Sequence, residues 1–182
     1  ENRTLVHPFN GIHVTAATAS IGIELHQQCP NLDAIVVAVG GGGLLSGIAY
    51  ASKLLRPECA VYGVEPDGAP TLTTSFIAGR PQQTHVNTQV RSLAVAQSEA
   101  YSYSVCAHYV DGLVTVSDQE AIEAMDLLYQ HACLAVEPAA AIGLAAILHP
   151  LNARLKGKKV AMILCGSNMS YPEWQTYHPS TT

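Results

Sequence analysis

The apolar residues of this chain fall into short unbroken runs separated by amphipathic or alanine-rich segments. That pattern predicts buried strands alternating with covering helices. Ala34 to Val39 is continuous and rich in β-branched residues, as expected of a strand buried on both faces. Gly40-Gly41-Gly42-Gly43 follows, then Leu44 to Leu55 reads as a helix stopped by Pro57, and Cys59 to Val64 as a second buried strand. Strand, glycine loop, helix and strand make a right-handed βαβ unit. Upstream, Thr18 to Gln28 predicts an amphipathic helix ended by Pro30, with Ile21 and Leu25 inward and Ile23 a further candidate. Downstream, Ala69 to Ala78 predicts a short helix, Leu93 to Val95 an extended piece, and Leu113 to Val116 a strand. Ser117-Asp118-Gln119-Glu120 has the form of a capping box, in which hydroxyl and carboxylate each satisfy a backbone N–H; its helix is expected to reach about Ala132. Glu137-Pro138 opens an alanine-rich helix, proline being well placed at a first helical position. Lys158 to Leu164 predicts a last buried strand, and the end from His178 is expected to fray. The resulting expectation is an α/β fold, three-layer α-β-α with a mostly parallel sheet, in a single domain over residues 1–182.

Composition sharpens this picture. Hydrophobic residues are 48% of 182 and charged residues only 13%. A sheet covered on both faces raises the apolar share, and so does a surface meant for a missing domain or a second subunit. A net charge of −5 argues against nucleic acid, which needs a clustered basic face; the one dense basic stretch, Arg154 to Lys159, reads as a solvated loop. The five cysteines are scattered without a C-x-x-C pair, which fits reduced thiols and a cytoplasmic setting. No run of about 20 apolar residues predicts a membrane span, and no signal-peptide profile is present. The chain does not open on Met, so a processed or excised piece is expected. No H-E-x-x-H or G-x-S-x-G pattern points to zinc proteolysis or serine hydrolysis.

The glycine run carries the chemistry. Backbone N–H groups between a strand end and a helix start meet the positive end of the helix dipole and bind phosphate without a basic side chain. A dinucleotide is one candidate owner of that phosphate, with Glu65 at the end of the next strand placed to meet a ribose. The G-x-G-x-x-G spacing fails, however, because Ser46 stands at its last position.

The segments Val39 to Gly47, Gly63-Val64-Glu65-Pro66, Val136 to Ala141 and Leu164-Cys165-Gly166-Ser167-Asn168 occur in an order that resembles the carboxy-terminal half of serine/threonine dehydratases and serine racemases. These are pyridoxal phosphate enzymes of the tryptophan-synthase-β-like class. Ser92-Leu93-Ala94-Val95, Tyr109-Val110-Asp111 and the Leu113 to Glu120 stretch extend the likeness from about His7 to Asn168. The resemblance implies that Gly40, Gly41, Gly42, Gly43 and Leu44 cradle the pyridoxal 5'-phosphate, and that Cys165 faces its pyridine nitrogen. A neutral partner there makes the ring a weaker electron sink than a carboxylate would, which suits β-elimination. It further implies a monovalent or divalent cation held by Glu65 and the carbonyl of Ala69, with Thr71 where some relatives carry another acid. Glu137 reads as a helix-start carboxylate facing the dipole.

Two departures accompany the likeness: Ala17-Thr18-Ala19-Ser20 stands where relatives often read Gly-x-Gly-Thr, and Arg91-Ser92 where dehydratases often show Asp-Gly. The family's cofactor-bonding lysine belongs to a Ser-x-Lys-x-Arg segment in its amino-terminal half. The four lysines here, Lys53, Lys156, Lys158 and Lys159, stand in no such segment. The expectation is therefore the carboxy-terminal part of a larger two-domain lyase that removes water from L-threonine or L-serine and is inactive alone. Its partners are a small amino-acid substrate, the missing amino-terminal half and, by resemblance, further copies of itself. The alternative is a non-catalytic module that binds phosphate or a partner.

Overall fold

The computed structural model describes residues 3–177. In chain order the elements are α1 (Ile12–Gln28), β1 (Ala34–Ala38), α2 (Gly43–Leu55), β2 (Ala60–Pro66) and α3 (Thr71–Ala78); then come a 3-10 turn (Arg91–Leu93), α4 (Ala100–Tyr109), β3 (Gly112–Val116) and α5 (Asp118–Ala132). They end with α6 (Pro138–Leu148), α7 (Asn152–Leu155), β4 (Val160–Met162) and α8 (Tyr171–Tyr177). The strands form one parallel sheet in the order β3-β2-β1-β4.

Strand alternation divides the core into two layers. Ile35, Val37 and Val39, with Val61 of β2, pack against Leu45, Ile48 and Ala49 of α2, and Leu72 and Cys106 join them. Ala34, Val36 and Ala38, with Tyr62 and Val64, face the other way, onto Ile122 and Met125 of α5 and Ile142 of α6. Each fully buried Ile or Val contributes about 1.5–3 kcal/mol relative to exposure, so β1, buried at all five positions, is the centre of the fold. Helices cover both faces and the three-layer expectation holds. The capping box is formed as expected: Ser117 Oγ accepts from Glu120 N, and Glu120 Oε2 accepts from Ser117 N. Among the described residues no helix is long and apolar enough to cross a membrane.

Several expectations need correction. Helix α1 starts at Ile12, six residues before Thr18, and its inward face is Thr15, Ala19, Gly22 and His26. Ile21 and Leu25 are only half-buried, and Ile23 is exposed. Small residues line that face because α1 and α2 approach closely: a Cβ on Gly22 would stand 2.9 Å from the Cβ of Ala51. Arg91–Leu93 is a 3-10 turn, so the extended piece expected from Leu93 is not a strand. The Lys158 to Leu164 strand contracts to Val160–Met162 and is half-buried, because among the described residues β4 lies at the edge of the sheet and pairs with β1 alone. Arg154 belongs to α7, so the basic stretch is part helix. Helix α4 has no counterpart among the expected elements; its buried positions, Ser102 and Cys106, are small and leave no apolar stripe. The expected fraying from His178 lies outside the described residues.

Candidate functional site

Strand β1 continues on one side into β2, while β4 lies on its other side. Ligands in open parallel sheets sit at such a reversal, beyond the carboxyl ends of the strands. Pairing runs from Ala34 with Val160 to Val36 with Met162, so the loop after β1 (Gly40 to Gly43) and the loop after β4 (Cys165 to Asn168) leave the sheet at one edge.

Gly42 caps α2 at φ 84°, a left-handed backbone that disfavours residues with a Cβ. A helix leaves its first N–H groups without intrahelical acceptors, and no side chain caps this one or places an acid in its first turn. Among the described residues, the N–H groups of Gly42, Gly43, Leu44 and Leu45 donate to no acceptor. The loop's carbonyls are tied back instead. Gly42 O accepts from Ser46 N at 2.9 Å and from Cys106 Sγ at 3.6 Å. Gly43 O accepts from Thr18 Oγ1 and from Ser46 Oγ, each at 2.9 Å. With carbonyls held inward, the amide donors face outward at the positive end of α2, an arrangement suited to a dianion.

The number of glycines is a weaker clue than the open amides. A Cβ on Gly41 would collide with the ring of Phe9, and one on Gly43 with the backbone of Phe9. Packing of the amino-terminal segment thus accounts for two of the four. From the sequence, Ser46 and Thr18 had no role in orienting the loop and Phe9 no role at all; for Thr18 a signal was Gly47, whose Cβ would meet Thr18 Oγ1.

Cys165 is solvent-exposed at the turn after β4, yet partial desolvation pushes its thiol up, with the negative charge of Glu137 a smaller cause in the same direction. Glu137 donates its N–H to Gly166 O at 3.1 Å. It occupies the cap position of α6, but its carboxylate makes no cap bond. The carboxylate accepts from Ser92 Oγ at 2.7 Å, so Glu137 stands at the helix start as expected and is also tethered to the 3-10 turn. Leu93 and Val95, just beyond Ser92, lie over Gly40 within 3.3 Å of a Cβ built there. The segments around Gly40, Ser92, Glu137 and Gly166 are therefore in contact.

Glu65 is fully buried and accepts from Leu72 N at 2.7 Å, Thr73 N at 2.8 Å and Thr73 Oγ1 at 2.6 Å. Burial pushes its carboxyl up, and those hydrogen bonds oppose the shift. Ala69 O accepts from Thr71 N at 2.9 Å, so both oxygen sources named for a cation serve the start of α3. Thr71 Oγ1 is bonded to Val95 O at 2.5 Å. No group of three or more His, Cys, Asp or Glu is placed to hold a metal among the described residues. Lys53 is committed to Cys59 O at 2.8 Å and Asp111 at 2.7 Å, beside the start of β2. Lys156, Lys158 and Lys159 precede β4. The sheet thus separates every lysine from the open amides.

Residues 1–166 match the family described as "Pyridoxal-phosphate dependent enzyme". A phenylserine dehydratase of Ralstonia pickettii is 46% identical over 169 residues, covering 92% of this chain and 52% of that protein. An L-threonine ammonia-lyase of Thermotoga maritima is 37% identical over 165 residues, covering 90% and 41%. Among solved structures, a T.th. threonine deaminase superposes with a TM-score of 0.87 at 35% identity, covering 92% of this chain and 61% of that one. The chain spans about half the length of the curated relatives it matches. The three-layer fold is that of tryptophan-synthase-β-like enzymes such as these. With an open-amide cradle at the sheet's reversal point and a family match over nearly its whole length, this chain belongs to the pyridoxal-phosphate-dependent enzymes.

Proposed function

We propose that this chain is the cofactor-anchoring, carboxy-terminal part of a lyase that eliminates water from L-threonine or L-serine, giving a 2-oxo acid and ammonia. The observation that carries this reading is the row of unpartnered amides from Gly42 to Leu45. These donors, with Gly40 and Gly41 beside them, bind the 5'-phosphate, and the dipole of α2 supplies positive potential without a cationic side chain. When bound, pyridoxal phosphate supplies an electron-accepting ring that eases bond breaking at the substrate Cα. With the cofactor bound, Cys165 would face the ring nitrogen and, as a neutral thiol, would leave it without a full negative partner. The lysine that bonds the cofactor and the groups that grip the substrate carboxylate come from the amino-terminal half, since the four lysines here lie away from the cradle. A cation in the intact protein would share the oxygens of Glu65 and Ala69 with the amide donors of α3.

Equilibrium dialysis of the purified chain tests the cradle. Pyridoxal phosphate is expected to bind, inorganic phosphate to compete, and pyridoxal to bind at least about tenfold more weakly, since charge-assisted hydrogen bonds contribute about 1.5–3 kcal/mol each. Equal binding of pyridoxal and its phosphate would sink the reading. Mixing with a folded amino-terminal half is expected to release 2-oxo acid from threonine or serine. The separation of the lysines from the cradle also favours a second reading, a phosphate-binding module without turnover, which predicts cofactor binding and no 2-oxo acid in that mixture.

A further inference from the structure

We propose that Ser92 and Glu137 form a positioning pair that holds the Cys165–Gly166 turn and sets a negative charge beside the Cys165 thiol. This inference rests on the assignment of Cys165 to the cofactor's ring and adds the residues that set its state. Three contacts carry it. The main chain of Glu137 donates to Gly166 O at 3.1 Å, fixing α6 to the turn after β4. The carboxylate lies against the other side of the same residue, so a Cβ on Gly166 would collide with Glu137 Oε1. Finally, Ser92 Oγ donates to Glu137 Oε2 at 2.7 Å from the 3-10 turn, across 45 residues of sequence.

A carboxylate at the amino end of a helix ordinarily turns back to cap it. Glu137 makes no such bond; its carboxylate accepts from Ser92 Oγ instead. Its charge is thereby free to be directed elsewhere, and Ser92 holds it over the turn. Partial burial raises the Cys165 thiol first, and the negative charge of Glu137 adds to the shift, because a charge close to a thiol opposes a second one. The other charged and titratable groups lining the adjoining cavity, of about 110 Å³, are Arg91, Glu173 and Tyr177. Arg91 is paired with Glu173 at 3.3 Å, which leaves Glu137 as the unpaired charge of that set. The thiol can then present S–H to an unprotonated ring nitrogen; a thiolate would instead draw a proton onto that nitrogen. Ser92 and Glu137 act through Cys165 and need not touch the substrate.

Thiol reactivity reads this directly, without turnover. Cys29 and Cys133 are the other exposed cysteines, while Cys59 and Cys106 are buried. In a chain carrying Cys29→Ser and Cys133→Ser, the rate of alkylation against pH therefore reports on Cys165. Its midpoint is expected above the ordinary value of about 8.5. Glu137→Gln keeps the shape and an acceptor for Ser92 but removes the charge, and should lower the midpoint at low salt. Ser92→Ala keeps the charge but frees it from the turn, and should lower the midpoint by less. An unchanged midpoint in Glu137→Gln would overturn the proposal; should that variant fail to fold, an unchanged midpoint in Ser92→Ala would do so. Dialysis with pyridoxal phosphate keeps the two readings apart. If the parent chain binds no cofactor while Glu137→Gln still shifts the thiol, the cofactor assignment fails and the control of Cys165 by Glu137 stands.

Discussion

Replacing Gly47 by alanine sets helix propensity against packing, and the structure decides which prevails. In an isolated helix the change would stabilise α2 by about 1 kcal/mol. In this fold the new Cβ meets Thr18 Oγ1, Thr15 O and Ala19 N, none of them farther than 2.5 Å. Two of the three are main-chain atoms of α1, so no rotamer change relieves them. The helices must part by about 1 Å, and a radial gap of that size forfeits roughly a quarter to a half of each dispersion contact across the seam. Overpacking of a tight core ordinarily costs about 1–3 kcal/mol, and a rigid helix pair belongs at or above the top of that range. A net loss of about 2–4 kcal/mol follows, which at about 2–4 °C per kcal/mol lowers Tm by roughly 4–16 °C. Parting the helices also breaks the Thr18 bond to Gly43 O that turns the loop's amides outward, so phosphate affinity should fall with stability. Calorimetry and dialysis on the same sample measure both. Gly112→Ala is the control: its Cβ meets Tyr62 at 3.4 Å, an ordinary contact, and should leave Tm nearly unchanged. A Gly47→Ala chain within about 2 °C of the parent would refute the account of the α1–α2 seam.

Other outcomes follow from the same structure. His26 is buried with neither ring nitrogen hydrogen-bonded, and burial first, then the charge of Arg56, hold its pKa below the ordinary value of about 6.5. Its folded form binds a proton more weakly than the unfolded chain. The stability it contributes is therefore complete above about pH 6.5 and lost as pH falls towards its folded value, at up to about 1.4 kcal/mol per pH unit. His26→Leu should flatten that part of a urea-midpoint profile between pH 8 and 5.5; an unchanged slope would show that another group governs it. Thr18→Val removes one hydroxyl donor to Gly43 O at nearly constant shape, and should weaken phosphate binding about fivefold by dialysis, equivalent to about 1 kcal/mol. Ser117→Ala removes half of the capping box of α5, which follows β3, two strands over from β1; it should cost about 1 kcal/mol in urea unfolding and leave phosphate binding unchanged.

The sequence alone determined the elements whose signals are local. A run of β-branched residues bounded by turn formers has few alternatives to a buried strand, and β1 and the centre of β2 are where that run put them. The Ser117 to Glu120 box closes within four residues, so no distant contact was needed to recognise it. The glycine loop was legible as a candidate anion site for the same reason of locality, and its family followed from the order of four short segments. Tertiary structure decided what depends on two distant stretches meeting. Helices α1 and α4 present small residues because they pack closely, and a face of Thr, Ala, Gly and Ser carries almost no hydrophobic period. Strand β4 is half-exposed because it falls at the sheet edge, which its apolar composition does not encode. The glycine loop is the clearest case. Its four residues advertise a turn, but Phe9 explains two of them, and Thr18, Ser46 and Cys106 orient its amides. A backbone donor becomes a binding group when its carbonyl neighbours are held elsewhere, and those holders lie up to 64 residues away in the chain.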